Sequence, residues 1–352
     1  MVNLINKINA FAKLGEILRN PDSEKFRSFR AEISRLRELV VNSKNLNPWF
    51  TPDNVQFAIN SIGQSLRSVK LEKWIDPYNR KKLESNVTKN IGVVMAGNVP
   101  GVGFHDYISV LMAGHRLQAK LSSDDNQLMP LVNRILEKIE PSFLGQAVFT
   151  DGKLENFDAI IATGSNNTAR YFEYYFGSKP NIIRKNRNGV AVLTGRESDE
   201  ELVMLGTDIF RYFGLGCRNV SKLYLPDNYR LDRFFENLQD YNEVINHHKY
   251  ANNYDYNKSI YLVNKIPHLD NGFLLLKEDP AISSPVAVLH YEHYHSIEAV
   301  NKILGHEQDQ IQCIVSTEKK VKQALDPGTA QKPELWHYAD GIDTMEFLLS
   351  LK

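Results

Sequence analysis

The chain has 352 residues, with 42 basic and 42 acidic side chains and a formal net charge of zero. This neutral balance argues against nucleic acid as a partner, because proteins that bind nucleic acid usually carry a basic surface. The composition excludes collagen-like, coiled-coil and wholly disordered chains, and the length predicts about two domains.

Three further features predict a cytoplasmic protein. No apolar run reaches the roughly 18 residues of a membrane span, and the N-terminus lacks the basic and apolar regions of a secretory signal. The only cysteines are Cys217 and Cys313, with no Cys-x-x-Cys pair, which favours a reducing compartment.

The first 88 residues are predicted to be helical. Apolar residues recur at helical spacing in two stretches, one from Leu4 to Leu18 and one from Phe26 to Leu39. Thr51-Pro52 is typical of an N-cap followed by proline at the first helical position, which predicts a third helix through Leu66. This segment carries no obvious chemistry.

From residue 89 the pattern changes to strand, turn and helix in repetition. This pattern is typical of parallel sheets with crossover helices, and it predicts one α/β unit over 89–188 and a second over 189–330. The predicted strands are 91–96, 116–121, 145–149, 157–162, 190–193, 220–225, 273–276, 286–290 and 311–315. Residues 242–257 lack a clear period and are predicted to be irregular surface, and 331–352 form a closing segment.

Two strand-to-helix turns are candidate anion sites. The first, Gly97–Gly103, could bind an anion on backbone amides, or its glycines could serve a tight turn; its Asn98 could donate to an oxyanion. The second, Thr163–Ser165, could hold a phosphate, or Ser165 could simply cap a helix. Lys120, at a strand end, could bind a ribose or phosphate, or be solvated.

Other candidates rest on single residue types. Cys217 lies between a helix and a strand, where it could be a nucleophile or a small buried apolar residue, whereas Cys313 is predicted to be in a core strand. The histidines of the Leu289–Ser296 segment do not favour a metal site, because two share one face of a strand and the third points away. His105 and Asp106 are either site residues or first-turn polar groups.

Five elements occur in a fixed order: Asn98 with Pro100, Ala113-Gly114, Lys120-Leu121-Ser122, Thr163-Gly164-Ser165 and Gly216-Cys217. In this order they resemble the aldehyde dehydrogenase superfamily, with its Asn-x-Pro turn, helix ending in Ala-Gly, Lys-Pro-Ser-Glu, Thr-Gly-Ser turn and Gly-x-x-Cys nucleophile. The turn Gly97–Pro100 is most similar to that of the acyl-CoA reductases, typified by the reductase subunit of the bacterial luminescence fatty-acid reductase complex. The resemblance covers roughly residues 90–320.

The resemblance implies an α/β, aldehyde-dehydrogenase-like fold with two α/β domains. A Rossmann-like cofactor domain would span 89–188, with the helical segment 1–88 packed on it. A catalytic domain would span 189–330, before the C-terminal segment 331–352. Cys217 would be the nucleophile and Asn98 an oxyanion donor. The cofactor would be held by Lys120, Ser122, Ser123, Gly164, Ser165 and Glu278, the last through a gapped match to a Glu-x-Phe-Gly-Pro-Val segment.

Two departures from the superfamily pattern refine the expected activity. Ile183–Arg187 stands where hydrolytic members carry a general-base glutamate, and it contains no carboxylate, which favours acyl transfer to or from a thiol. Ser123 replaces the glutamate that repels a 2′-phosphate, which favours NADPH with Lys120 as phosphate partner. The resemblance thus implies NADPH-dependent reduction of a fatty acyl-CoA to the aldehyde, without a metal.

Two alternatives stay open. One is a CoA-acylating aldehyde dehydrogenase or acyl-phosphate reductase with a short substrate, and the other is an inactive superfamily member that acts as a scaffold. The expected partner is an acyl thioester, and the family also implies a homo-oligomer or a complex with an acyl-delivering protein.

Overall fold

The computed structural model describes residues 3–85 and 87–351. Its helices are α1 (Leu4–Arg19), α2 (Arg30–Val41), α3 (Ser43–Leu46), α4 (Pro52–Ser65), α5 (Ser68–Ile75), α6 (Arg80–Ser85), α7 (Phe104–Met112), α8 (Leu128–Ile139), α9 (Asn166–Phe176), α10 (Asp199–Phe210), α11 (Leu231–Asn237), α12 (His248–Val263), α13 (Ile297–His306) and α14 (Thr344–Ser350). None of these helices is long and apolar enough to cross a membrane, a finding that covers the described residues only.

Twelve strands occur in the same described residues. They are β1 (Asn90–Val94), β2 (Arg116–Lys120), β3 (Ala147–Thr150), β4 (Ala159–Thr163), β5 (Asn181–Arg184), β6 (Asn188–Val192), β7 (Val220–Pro226), β8 (Leu269–Asp270), β9 (Leu275–Glu278), β10 (Val288–Tyr294), β11 (Ile311–Val315) and β12 (Ala324–Leu325).

The chain forms two compact units. The first contains the described residues of Met1–Lys185 and Glu334–Lys352, and the second is Asn186–Pro333. The helices predicted for residues 1–88 share one hydrophobic core with the first unit's sheet, and the C-terminal segment contributes Leu335 and Met345 to that core. The unit boundary falls at Lys185, close to the end of the predicted cofactor domain at residue 188.

The N-terminal helices confirm the spacing argument. Helices α1 and α4 cover the first and third predicted stretches, and the second is covered by a 3-10 helix over Glu24–Phe29 that continues into α2. Helix α4 begins with a Thr51 side chain that accepts from the Asn54 N–H, followed by Pro52. The apolar faces of α1, α2 and α4 are buried because these helices pack on one another and on α8, within the core that they share with the sheet.

The first unit has a five-stranded parallel sheet in the order β3-β2-β1-β4-β5. Alternate residues of β4 point to opposite faces: Ile161 lies in the core shared with the N-terminal helices, whereas Ile160 packs with Phe172 and Phe176 of α9. Helices therefore cover both faces, as a parallel sheet requires.

The second unit has a seven-stranded sheet in the order β12-β11-β6-β7-β10-β9-β8, parallel except for β8, which pairs antiparallel with β9. Strand β7 is buried along six of its seven residues. A core on one face includes Leu223 and Leu225 and a core on the other face includes Tyr224, so this strand is central to the unit.

One prediction about this unit is wrong. Residues 242–257, predicted to be irregular, form a 3-10 helix over Gln239–Asn246 and most of α12. The buried face of α12 consists of Tyr250, Tyr254, Asn257 and Tyr261, which recur at helical spacing. The sequence does not reveal this helical period because tyrosine and asparagine are not counted as apolar residues. The ring of a buried tyrosine nevertheless packs like an apolar side chain.

Candidate active site

The first unit gathers most of the predicted site residues at one edge of its sheet. Strand β1 lies between β2 and β4, and all three are parallel, so the turns that follow them lie side by side at the carboxyl edge. These turns carry Asn98, the Lys120–Ser123 segment and the Gly164–Ser165 pair. In sheets of this kind, ligands bind at the carboxyl ends of the strands where the strand order reverses.

The turn after β1 packs tightly against the turn after β2. A Cβ atom on Gly97 would lie 2.5 Å from the Ser122 Oγ and 3.0 Å from the Asp124 Cβ, so a side chain at Gly97 would push the turns apart. Gly101 has φ +66°, which favours glycine. Between these two glycines, the Asn98 side chain is exposed.

A carboxylate joins the two turns. The Gly101 N–H donates to Asp125 Oδ2 at 2.7 Å. Burial raises the pKa of Asp125 to about 6, although hydrogen bonds from the backbone at Gly101 and Leu128 oppose that rise. This amide of the glycine turn is thus engaged by an internal carboxylate.

The Lys120–Ser123 segment leaves two side chains accessible. Lys120 is half-buried at the end of β2 and forms no ion pair with any described residue. Ser122 is half-buried and its hydroxyl accepts from the Asp124 N–H at 3.2 Å, whereas Ser123 is exposed. A cation and a hydroxyl thus face solvent at the carboxyl edge.

Ser165 is the N-cap of α9. Its hydroxyl accepts from the Thr168 N–H at 3.2 Å and lies 2.8 Å from the Thr168 hydroxyl. A Cβ on Gly164 would lie 3.0 Å from side-chain atoms of Thr168 and Phe172, so this turn also favours glycine. The capping alternative is therefore confirmed, and a role in cofactor binding stays a prediction.

His105 and Asp106 make structural contacts. The His105 Nε2 lies 2.8 Å from the Leu335 carbonyl oxygen. The Arg184 guanidinium, at the end of β5, donates to both carboxylate oxygens of Asp106 at 2.6 and 2.8 Å and to the Thr344 hydroxyl at 3.1 Å. These contacts tie the C-terminal segment to the rest of the first unit.

In the second unit, Cys217 lies in the turn between α10 and β7. The backbone adopts the left-handed region at three successive residues, Tyr212 (φ 54°), Phe213 (φ 58°) and Gly214 (φ 77°). Two of these are bulky residues for which this conformation is strained. The turn ends α10 abruptly, and the Cys217 that follows it is an exposed thiol.

The buried side chain of Asn219 holds this turn in place. Its Oδ1 accepts from the Gly216 N–H at 2.8 Å. Its Nδ2 donates to the carbonyl oxygens of Asp208, Ile209 and Arg211 at 3.0, 3.3 and 2.8 Å. One amide therefore joins the end of α10 to the residue before Cys217. Its position two residues after the cysteine was the only sequence signal for this role.

A second brace comes from residues 328–330. The buried Asp208 carboxylate accepts from the N–H groups of Gly328 and Ala330 at 2.7 and 3.0 Å. The Arg218 Nε, next to Cys217, donates to the Ala330 carbonyl oxygen at 2.6 Å. Burial raises the pKa of Asp208 to about 6.

This raised pKa predicts a pH-dependent stability. Between about pH 4 and pH 6 the folded protein holds a proton on Asp208 that the unfolded chain has lost, so the free energy of unfolding falls as pH rises. The contribution amounts to about 3 kcal/mol. We expect the difference in unfolding free energy between wild type and Asp208→Asn to fall by about that amount between pH 4 and pH 7 in urea titrations. Parallel curves for the two proteins would contradict this expectation.

Cys313 lies close to the turn that carries Cys217, because its Sγ is 3.5 Å from the Arg218 carbonyl oxygen, whereas Glu278 lies two strands away from β7. Cys313 is buried in β11, as predicted, and burial raises its pKa to about 12. Glu278 is exposed at the end of β9 and is level with Leu223 of β7 through Tyr291 of β10. The Cys217 turn enters β7 at Val220, so Glu278 is level with the middle of this strand and not with its start, and its cofactor role stays a prediction.

The three histidines of β10 and its end do not converge. The His290 Nδ1 lies 2.9 Å from the Ala281 carbonyl oxygen, the His293 Nδ1 lies 3.3 Å from the Pro226 carbonyl oxygen, and His295 pairs with Asp227. Within residues 3–85 and 87–351, no group of His, Cys, Asp and Glu is arranged to hold a metal ion.

The chain matches no known family profile and no curated protein sequence. It does match solved structures. Aldehyde dehydrogenase 21 from Physcomitrella patens, in complex with succinate, is 13% identical with a TM-score of 0.63, over 86% of this chain and 71% of that one. An NAD-dependent aldehyde dehydrogenase from Sinorhizobium meliloti is 10% identical with a TM-score of 0.63, over 92% and 73%.

A third match is the indole-3-acetaldehyde dehydrogenase of P. syringae in complex with NAD+, 12% identical with a TM-score of 0.60 over 92% of this chain and 74% of that one. At this level of sequence identity, the structural similarity establishes the fold alone. The chain therefore has the aldehyde dehydrogenase fold, with two α/β domains, as the resemblance implied.

Proposed function

We propose that the protein is an oxidoreductase that reduces an acyl thioester, in particular a fatty acyl-CoA, to the aldehyde with NADPH. The observation that carries this proposal is the exposed Cys217 thiol on a strained, braced turn in a chain with the aldehyde dehydrogenase fold. A thiol that only filled a core would be buried, as Cys313 is.

In the proposed reaction the Cys217 thiolate attacks the carbonyl carbon of the thioester. The Cys217 N–H would donate to the tetrahedral oxyanion, a type of donor worth about 3–4 kcal/mol. The sequence resemblance implies that the Asn98 side-chain amide is a further oxyanion donor. Collapse of the tetrahedral intermediate breaks the bond between the carbonyl carbon and the sulfur of coenzyme A. Coenzyme A departs as a thiolate, and the acyl group remains on Cys217 as a thioester. The exchange of one thioester for another is nearly isoenergetic. The roles of Asn98 and Cys217 are taken from the sequence resemblance, and each is open to separate substitution.

The residues at the end of β5 favour reduction of the acyl-enzyme over its hydrolysis. Ile183–Arg187 carries no carboxylate that could activate water, and the side chain of its second residue, Arg184, is committed to the Asp106 carboxylate. An acyl-enzyme that water does not release persists until it is reduced or returned to a thiol.

The carboxyl edge of the first unit suits a nicotinamide dinucleotide. The N-terminus of α9 at Ser165 would hold the diphosphate and the half-buried Lys120 the 2′-phosphate, with Ser122 and Ser123 near the adenosine ribose and Gly164 keeping the turn compact. When bound, NADPH supplies the hydride that converts the acyl group on Cys217 to the aldehyde. Exposed Ser123 leaves room for a 2′-phosphate that a glutamate would repel.

Replacing Lys120 tests the cofactor preference. We expect Lys120→Met to raise the KM for NADPH about tenfold or more, because a charged hydrogen bond to phosphate is lost, and to leave the KM for NADH nearly unchanged. Lys89→Met, just before β1 at the opposite edge of the same sheet, is the matched control. A wild type that prefers NADH would contradict the proposal and would point to the exposed Asp124 carboxylate as a ribose ligand.

A panel of acyl donors tests the substrate class. Oxidation of NADPH with palmitoyl-CoA, but not with acetyl phosphate, is the expected result. Consumption with acetyl phosphate or acetyl-CoA alone would assign the protein to the short-substrate alternative. Association into a homo-oligomer or with an acyl-delivering protein is also part of the proposal, and light scattering of the purified chain measures the first.

A further inference from the structure

A polar cavity lies at the amino edge of the first unit's sheet, away from the candidate site. Its volume is about 220 Å³, and its walls include Lys7, Gly114, His115, Arg116, Ser142 and Gln146. Helix α7 ends at Met112 and β2 begins at Arg116, so this cavity is at the opposite edge from the turns that carry Asn98, Ser122 and Ser165. Nothing in the proposed reaction uses it.

Lys7 provides a buried positive charge in this wall. Lys7 is 3% exposed, and its Nζ donates to the Met112 carbonyl oxygen at 3.0 Å. Among the described residues, this is the only hydrogen bond or ion pair of the Lys7 side chain. An ammonium group has three N–H donors, so two of them are not used by the described protein groups. A buried ammonium without a counter-ion is costly. Burial accordingly lowers the pKa of Lys7 to about 8, against the opposing charge of Glu84.

The backbone keeps space open beside this ammonium. Gly114 has φ +86°, and a Cβ atom there would lie 3.4 Å from the Lys7 Nζ. A side chain at this position would therefore be strained and would reach into the space that the ammonium faces.

The other walls add a second cation and no acid. Arg116 is exposed and forms no ion pair with described residues. The His115 Nδ1 accepts from the Lys89 N–H at 3.2 Å, which leaves Nε2 to donate to the Leu348 carbonyl oxygen at 3.0 Å, and burial lowers its pKa. The imidazole is therefore neutral. None of the described wall residues is Asp or Glu.

We propose that this cavity binds a small oxyanion, a phosphate-like or carboxylate group, between Lys7 and Arg116. The volume suits such an ion, since it corresponds to roughly seven water molecules at about 30 Å³ each, and it is too small for a nucleotide. Lys7 also caps the negative C-terminal end of α7 through Met112. A lysine that only capped this helix would give no response to anions, and this difference makes the proposal testable.

The test is thermal unfolding of the full chain in phosphate, sulfate or acetate against chloride, at constant ionic strength. We expect the wild-type Tm to rise by about 2–4 °C at an anion concentration ten times its Kd. Lys7→Met should abolish this shift and Arg116→Gln should reduce it. Lys13→Gln, an exposed lysine further along α1 that does not line the cavity, should keep the full shift.

The comparison of phosphate, sulfate and acetate distinguishes the two classes of ligand. A response to phosphate and sulfate assigns the site to tetrahedral oxyanions, and a response to acetate alone assigns it to carboxylates. No anion-dependent shift in the wild type, or an equal shift in wild type and Arg116→Gln, would overturn the proposal. Because Arg116 is exposed, its variant tests the proposal even if Lys7→Met fails to fold. Catalytic activity plays no part in this readout, so the result is independent of the proposed function.

Discussion

Replacing Cys217 by alanine is expected to lower the rate of NADPH-dependent acyl-CoA reduction by about 10⁴-fold or more. Alanine keeps the backbone of the braced turn and removes the only group that forms the acyl-enzyme, and loss of a nucleophile typically has an effect of this size. The measurement is NADPH oxidation with palmitoyl-CoA, with circular dichroism to show that the variant is folded.

Cys313→Ala is the matched control for this experiment. It removes the other thiol, which is buried in β11 and lies 3.5 Å from the Arg218 carbonyl oxygen. We expect its rate to stay within about threefold of wild type, although a small cavity lowers its stability. A Cys217→Ala variant with the turnover of the wild type would show that the reaction does not pass through this residue.

Replacing Arg184 by methionine is expected to lower the free energy of unfolding by about 3–5 kcal/mol, because it leaves the Asp106 carboxylate buried without its cation. The side chains of both residues are 7% exposed. The lost hydrogen bond to Thr344 would also loosen the start of α14. Guanidinium unfolding at neutral pH measures the change.

The double variant Asp106→Leu with Arg184→Met distinguishes an unpaired charge from simple loss of packing. We expect it to be more stable than Arg184→Met alone, since replacing both members of a buried pair by apolar groups is often close to neutral. If the double variant were less stable than either single variant, the pair would be stabilising in itself and our explanation would be wrong.

Much of the fold follows from local patterns in the sequence. The N-terminal helices and most strands of both sheets are predicted from apolar spacing, because their buried faces are made of aliphatic residues. Strand β5 was not predicted: it has four residues, of which only Ile182 and Arg184 are buried. The buried arginine is intelligible only once Asp106, far away in sequence, is seen to pair with it.

The site residues, like the fold, could be predicted only in part. The carboxyl-edge turns were predicted, since parallel strands place successive turns at one edge. The exposure of Cys217, one of two alternatives in the sequence, depends on left-handed backbone at Tyr212 and Phe213 that few sequences would predict. The braces Asn219 and Asp208 were missed, because their partners are carbonyl and amide groups that only the folded turn brings together.

Mass spectrometry of the intact protein after incubation with palmitoyl-CoA, without NADPH, tests the central claim most directly. The proposed reaction predicts a palmitoyl group on Cys217, absent from Cys217→Ala, present in Cys313→Ala, and lost when NADPH is added. No adduct with any acyl donor, or an adduct that persists in Cys217→Ala, would contradict it.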